Sequence, residues 1–180
     1  MTEILEIIMK EITDTLDKVD EAQLDEVVSL LTPDRRVFVY GEGRSGFSAR
    51  GFAMRLMHLG YTVFFVGETI TPALAAGDIF IGVSGSGTSS SVVDYAGKAK
   101  KKGCTLIAVT SKAQSPLGEM ADSVLVIPGT VKGDSGEERK SVQLLSSLFD
   151  QSLHITLDAV CLLLSRKNDT SNEKATGAHW

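Results

Sequence analysis

The chain has 180 residues, 43% of them hydrophobic and 23% charged, with a formal net charge of -5. These are the proportions of an ordinary globular protein, long enough for one domain that buries roughly two-thirds of its unfolded surface. The acidic balance argues against a nucleic-acid binder, which normally carries a basic face, yet a small anion can still be held by backbone N–H groups at a helix start.

Residues 1–34 form a helical arm. Ile4, Ile7, Ile8, Ile12, Leu16 and Val19, then Leu24, Val27, Val28 and Leu31, follow three-and-four spacing, which lays one apolar stripe along a helix or a helix pair. That stripe must be covered by the domain or by a second subunit. Asp20, with Gln23 three residues on, has the form of a capping box for a second helix, and Pro33 marks its end.

From Arg36 onward, short continuous apolar runs alternate with helical stretches. The runs are "VFVY" (37–40), "TVFFV" (62–66), "IFIGV" (79–83), "TLIAVT" (105–110) and "VLVIP" (124–128). Continuous rather than alternating hydrophobicity marks strands covered on both faces. The spacing predicts helices over 47–59, 88–102 and 115–120, with at most a single turn after Pro72. Strand and helix in alternation give an α/β fold, a five-stranded parallel sheet flanked by helices. A polar loop follows at 129–141, then the long apolar helical stretch "VQLLSSLFDQSLHITLDAVCLLLSR", on which Asp150, His154 and Asp158 share one face. Residues 166–180 form a polar tail expected to be flexible, in which Trp180 has little reason to stand unless it docks.

Two of the strand–helix junctions carry chemistry. Gly41, Gly43 and Gly46 fit G-x-G-x-x-G, the spacing of a dinucleotide loop, and Glu68 lies 22 residues further on, where a ribose-binding acid belongs. Arg44 inside the loop would crowd a pyrophosphate. A second junction, Ser84-Gly85-Ser86-Gly87-Thr88-Ser89, repeats the plan with more hydroxyls than one helix cap needs. A single dinucleotide leaves that second loop unexplained. Two neighbouring strand ends facing one sugar phosphate account for both.

Cys104 and Cys161 lie in apolar stretches without metal-ligand spacing and read as free thiols of a reducing compartment. Acids stand at the N-terminus where a signal peptide carries bases, and no uninterrupted apolar run reaches ~18 residues. The expectation is a cytoplasmic protein with no membrane partner.

"SGSGTS" after a strand resembles the phosphosugar loop of sugar isomerase (SIS) domains. "GEGRSGFSARGFAMRLMHLGYTVFFVGETITP" and "SLFDQ" (147–151) more specifically resemble the 6-phospho-3-hexuloisomerase family, over about residues 35 to 165. The resemblance implies a single SIS domain that interconverts D-arabino-3-hexulose 6-phosphate and D-fructose 6-phosphate. It also implies a homotetramer without cofactor or metal, its sites near subunit boundaries, acting after a 3-hexulose-6-phosphate synthase in the ribulose monophosphate route of formaldehyde fixation. A non-catalytic SIS-domain sugar-phosphate sensor is the alternative; such sensors carry a DNA-binding module for which this chain has no spare length.

The family's general base is the Glu of S-L-F-E-Q, which falls on Asp150. A carboxylate one methylene shorter requires a helix that sits nearer the substrate, a slower reaction or another acid. The resemblance places the substrate on Gly43, Arg44, Ser45, Glu68 and the 84–89 loop. The family's H-x-N-L ending is replaced by "GAHW", so His179 stands only as a candidate proton donor. His154 either orients Asp150 or forms an ordinary helix-surface pair. His58 is expected to pack rather than to touch substrate.

Overall fold

The computed structural model describes residues 2–180. The apolar stripe of the arm lies on a pair of helices, α1 (Glu3–Leu16) and α2 (Glu21–Leu30). Asp20 caps α2 by accepting from the Ala22 N–H at 2.8 Å. Gln23 does not reach back to complete the capping box: its Oε1 accepts from the Val126 N–H at 2.8 Å, tying the arm to the last strand. On α1 only Ile12 and Thr15 are buried, while Ile4, Leu5 and Met9 stay exposed. The stripe is therefore only partly covered by its own domain.

The strands are β1 (Val37–Gly41), β2 (Val63–Phe65), β3 (Ile79–Val83), β4 (Thr105–Thr110) and β5 (Ser123–Val126). All pair in parallel, in the order β2-β1-β3-β4-β5. Helices α3 (Gly43–His58), α4 (Ser90–Lys101) and α5 (Pro116–Met120) connect them, and α6 (Ser147–Lys167) closes the domain. The sheet divides two cores. Val37, Val39, Ile79, Ile81, Ile107 and Val109 point to the side of α2, α3 and α6, while Phe38, Phe80, Leu106 and Ala108 point to α4 and α5. Both faces are apolar because both are covered, which is why the strands read as continuous runs.

Two expectations need correction. Helix α3 begins at Gly43, not at residue 47, so most of the first glycine loop is the helix's own first turn. No helical turn follows Pro72: the β2–β3 connection is irregular and is pinned by Arg36. The Arg36 guanidinium grips Asp78 through Nε (2.9 Å) and Nη2 (2.6 Å) and also donates to the Ala73 carbonyl, while Asp78 accepts from the Ala75 N–H.

Helix α6 is long and apolar enough to cross a membrane by length and composition, yet more than half of its most apolar stretch is buried in the domain. It is a core helix. Beyond it, α7 (Asn172–Gly177) is capped by Ser171, whose side chain accepts from the Lys174 N–H. Trp180 remains fully exposed, and the His179 ring stacks on His58 with centroids 5.2 Å apart.

Candidate active site

The order β2-β1-β3 reverses the direction of winding between β1 and β3, and such a switch point opens a crevice beyond the strands' carboxyl ends. Gly41 and Val83, the last residues of β1 and β3, are direct partners across that point. The chain leaves β1 and enters α3 within two residues. Gly46 makes this possible: a Cβ there would lie 2.5 Å from the Gly41 carbonyl oxygen. In the second loop Gly87 has φ +66°, and a Cβ would lie 2.0 Å from Ser115 Oγ. Both loops are thus shaped by glycines that no other residue replaces without movement.

A cavity of about 220 Å³ occupies the crevice. Its walls include Glu42, Gly43, Arg44 and Ser45 from the first loop and Ser84, Gly85, Ser86 and Ser89 from the second. Val83, Val131, Lys132, Ser146 and Asp150 complete it. Three helix N-caps meet here: Glu42 of α3, Ser89 of α4 and Ser146 of α6. None of the three uses its side chain to cap its own helix. Ser89 Oγ pairs instead with Ser84 Oγ at 2.9 Å, and Ser146 Oγ accepts from the Lys132 N–H at 3.0 Å. Each helix start leaves N–H groups without intrahelical partners and carries the positive end of a dipole. Three such ends around one cavity, with Lys132 and Arg44 at its wall, suit a phosphate ester.

Asp150 stands in the first turn of α6 and is buried, 6% exposed. Ser45 Oγ donates to its Oδ1 at 2.7 Å, and Arg44 Nε lies 3.8 Å from Oδ2. Arg44 also donates to Ser147 Oγ at 2.8 Å, so the first loop is fastened to the start of α6. Burial raises the Asp150 pKa above the ordinary aspartate value, against the opposing pull of the Ser45 hydroxyl and the Arg44 charge. A carboxylate with a raised pKa at the wall of a cavity has the poise of a proton-transfer group. Asp150 and the anion cradle share one small volume, and that allows a phosphorylated substrate to be held at one end while a proton moves at the other.

Most of the residues singled out in the sequence come together here. Gly43, Arg44, Ser45, Ser84, Gly85, Ser86, Ser89 and Asp150 line the cavity. Gly87 is buried beneath it, and Thr88, exposed at the rim, pairs with Ser86 Oγ at 2.8 Å. Glu68 lies apart, ion-paired with Arg50 at 2.6 Å. His179, against His58, stands at the far end of α3 from Ser45, roughly 20 Å away at 1.5 Å per helical residue. His154 pairs with Asp158 at 3.6 Å, both exposed. Asp150 shares a surface hollow with His154 but is itself buried, and its partners are Ser45 and Arg44. Five wall residues escaped the sequence reading: Glu42, Val83, Val131, Lys132 and Ser146. Glu42 and Ser146 each directly precede a helix, a visible signal, whereas Val131 and Lys132 sit in a loop with no pattern.

A family model described as the SIS domain matches residues 30–155, and the chain belongs to that family. Similarity to individual proteins narrows the class. The 3-hexulose-6-phosphate isomerase of Mycobacterium gastri is 44% identical over 160 residues, 89% of this chain and 80% of that one. The enzyme of the same name from Bacillus subtilis (strain 168) is 37% identical over 172 residues, 96% and 93% of the two chains. A crystal structure from Methanococcus jannaschii, for which the molecular function 3-hexulose-6-phosphate isomerase is inferred, superimposes with a TM-score of 0.83 at 30% identity and covers 99% of this chain and 98% of its own. Within the SIS domains, the chain therefore falls in the family of 3-hexulose-6-phosphate isomerases.

Proposed function

We propose that this protein interconverts D-arabino-3-hexulose 6-phosphate and D-fructose 6-phosphate. The observation that carries the reading is the buried Asp150, hydrogen-bonded to Ser45 in the wall of a cavity ringed by three helix starts. The phosphate sits against the 84–89 loop, where Ser84, Ser86 and Ser89 and the first-turn amides of α4 offer donors. Asp150 removes the proton from C2, the C3 oxygen takes up the proton that the C2 hydroxyl gives up, and the intermediate between them is a cis-enediol. Return of the proton to C3, with the carbonyl re-formed at C2, gives the 2-ketose. The exchange is redox-neutral within one molecule, and a positioned base of this kind contributes about 10²–10⁴-fold. Ser45 and Arg44 orient the carboxylate and favour its ionised form.

The same reading makes the protein a cytoplasmic partner of a 3-hexulose-6-phosphate synthase in formaldehyde fixation. It also takes the active form to be a homotetramer. Phe47, Met54 and Met57 on α3, with Ile155 and Leu162 on α6, are exposed large apolar side chains, and subunit contact would remove them from water.

Formation of fructose 6-phosphate in a coupled assay tests the proposal, starting from formaldehyde and ribulose 5-phosphate with an added synthase. Product is expected only when both proteins are present. Accumulation of the 3-hexulose with no fructose 6-phosphate would overturn the assignment.

A further inference from the structure

We propose that Glu11 is a positioning residue for Asp150: from the arm it clamps the segment that leads into α6 and so sets where the reacting carboxylate lies. The inference rests on the reading of Asp150 as the base. Glu11 takes hydrogen bonds from three successive residues. Its Oε2 accepts from Ser141 Oγ at 2.7 Å and from Gln143 Nε2 at 2.9 Å, and its Oε1 accepts from the Val142 N–H at 2.8 Å. Gln143 N–H in turn donates to Ser141 Oγ, and the Arg139 guanidinium donates to the carbonyls of Gln143 and Leu145. The carboxyl is held below the ordinary glutamate value: burial pushes it up, but the bonds from Gln143, Ser141 and Val142 and the Arg139 charge outweigh that push.

Packing does not hold this segment. Val142, Leu144 and Leu145 are 75%, 78% and 69% exposed, so the hydrophobic effect contributes little there. Leu145 also has φ +53°, a conformation a leucine rarely takes unaided. What fixes the path is polar: the Glu11 clamp at one end, and Ser146 Oγ on the Lys132 N–H at the other. Ser146 immediately precedes α6, and Asp150 follows within its first turn. Ile12 and Thr15, beside Glu11 on α1, are buried, and α1 packs along α6. The clamp is therefore referenced to the helix whose start it aligns.

The 84–89 loop lies between β3 and α4 and makes no hydrogen bond to Glu11, Ser141, Val142 or Gln143. Releasing the clamp therefore moves the start of α6 and Asp150 with it, while the hydroxyls of the 84–89 loop keep their own anchors. The signature is a fall in kcat that exceeds any rise in KM. A displacement of about 1 Å costs on the order of 10²-fold in rate, so Glu11→Ala should lower kcat roughly 10- to 100-fold. Glu11→Gln keeps one of the two acceptor oxygens and should fall between Glu11→Ala and the unaltered protein.

The experiment measures steady-state kinetics of the unaltered protein, Glu11→Gln and Glu11→Ala, together with hydrogen–deuterium exchange of peptides covering residues 139–153 and 84–95. Faster exchange at 139–153 alone, with the kcat loss, is the expected result. A kcat for Glu11→Ala close to that of the unaltered protein, or unchanged exchange at 139–153, overturns the proposal. Should Glu11→Ala fail to fold, the pair Ser141→Ala and Gln143→Ala removes the same bonds from the other side and is judged by the same criteria. An unaltered protein with no isomerase activity would defeat the functional reading separately. The exchange comparison then decides the clamp by itself.

Discussion

Ser45 and Asp150, 105 positions apart in the chain, are joined by a 2.7 Å hydrogen bond in which the serine donates. The bond links the first turn of α3 to the first turn of α6, and the Arg44–Ser147 contact beside it repeats the link. The first loop and the Asp150 carboxylate are therefore fastened to each other.

That bond favours the ionised form of Asp150, against the burial that raises its pKa. Ser45→Ala removes the favourable part and leaves the burial. The pKa must then rise further, and if Asp150 is the proposed base, which works ionised, the acidic limb of the kcat/KM–pH profile should shift to higher pH. An acidic limb that stays in place would show that Asp150 does not govern it.

Asp150→Asn should lower kcat by about 10²-fold or more, with fructose 6-phosphate binding retained. It should also make the protein more stable at neutral pH. The folded-state pKa lies above the unfolded value, so the folded state holds the proton more tightly. The ionised side chain then costs stability progressively as pH rises from the unfolded value through the folded one. The uncharged amide escapes that cost. Thermal unfolding of both proteins between pH 4 and pH 8 should show the variant's advantage growing with pH and vanishing at the acidic end. Asp150→Glu, which restores the family's usual residue, should keep activity or raise it, and its complete loss would mean that the backbone has adapted to the shorter acid.

Ser86→Ala and Ser89→Ala should raise KM for the phosphorylated sugar and leave kcat nearly unchanged. A hydrogen bond to a charged group contributes about 1.5–3 kcal/mol, which is roughly 10- to 150-fold. Thr88→Ala, at the exposed rim, should have a smaller effect. If KM responds to Thr88 and not to Ser89, the phosphate lies outside the cavity.

Gly87→Ala tests the loop's shape. The left-handed backbone alone costs a residue with a Cβ about 1–2 kcal/mol, and the collision with Ser115 Oγ adds to it. Differential scanning calorimetry should give a Tm lower by several degrees, at about 2–4 °C per kcal/mol for a chain of this size. A Tm equal to that of the unaltered protein would contradict the described turn.

The strands were legible because burial on both faces leaves an unmixed apolar signature: "IFIGV" and "TLIAVT" became β3 and β4 without adjustment. The start of α3 was not, because Gly43 and Gly46 are poor helix formers retained for close approach, and the sequence shows their propensity rather than their neighbours. Asp150 was found through a resemblance, but its burial and its bond to Ser45 depend on two helices meeting. No local pattern encodes that. Lys132 is a clearer case still, since an isolated lysine in a polar loop looks like any solvated residue. Gln23 showed the opposite failure: a good local rule, the capping box, was overridden by a strand edge in need of an acceptor.

Helices α3, α4 and α6 all begin at the cavity with none of their own side chains covering the amides there. An occupant that satisfies those amides binds the folded chain and not the unfolded one. At a concentration a hundredfold above its dissociation constant it would add about 2.7 kcal/mol to the stability of the fold. Resistance to heat and to proteolysis would then rise and fall with supply of the metabolite, so that a cell starved of it would also lose the protein faster.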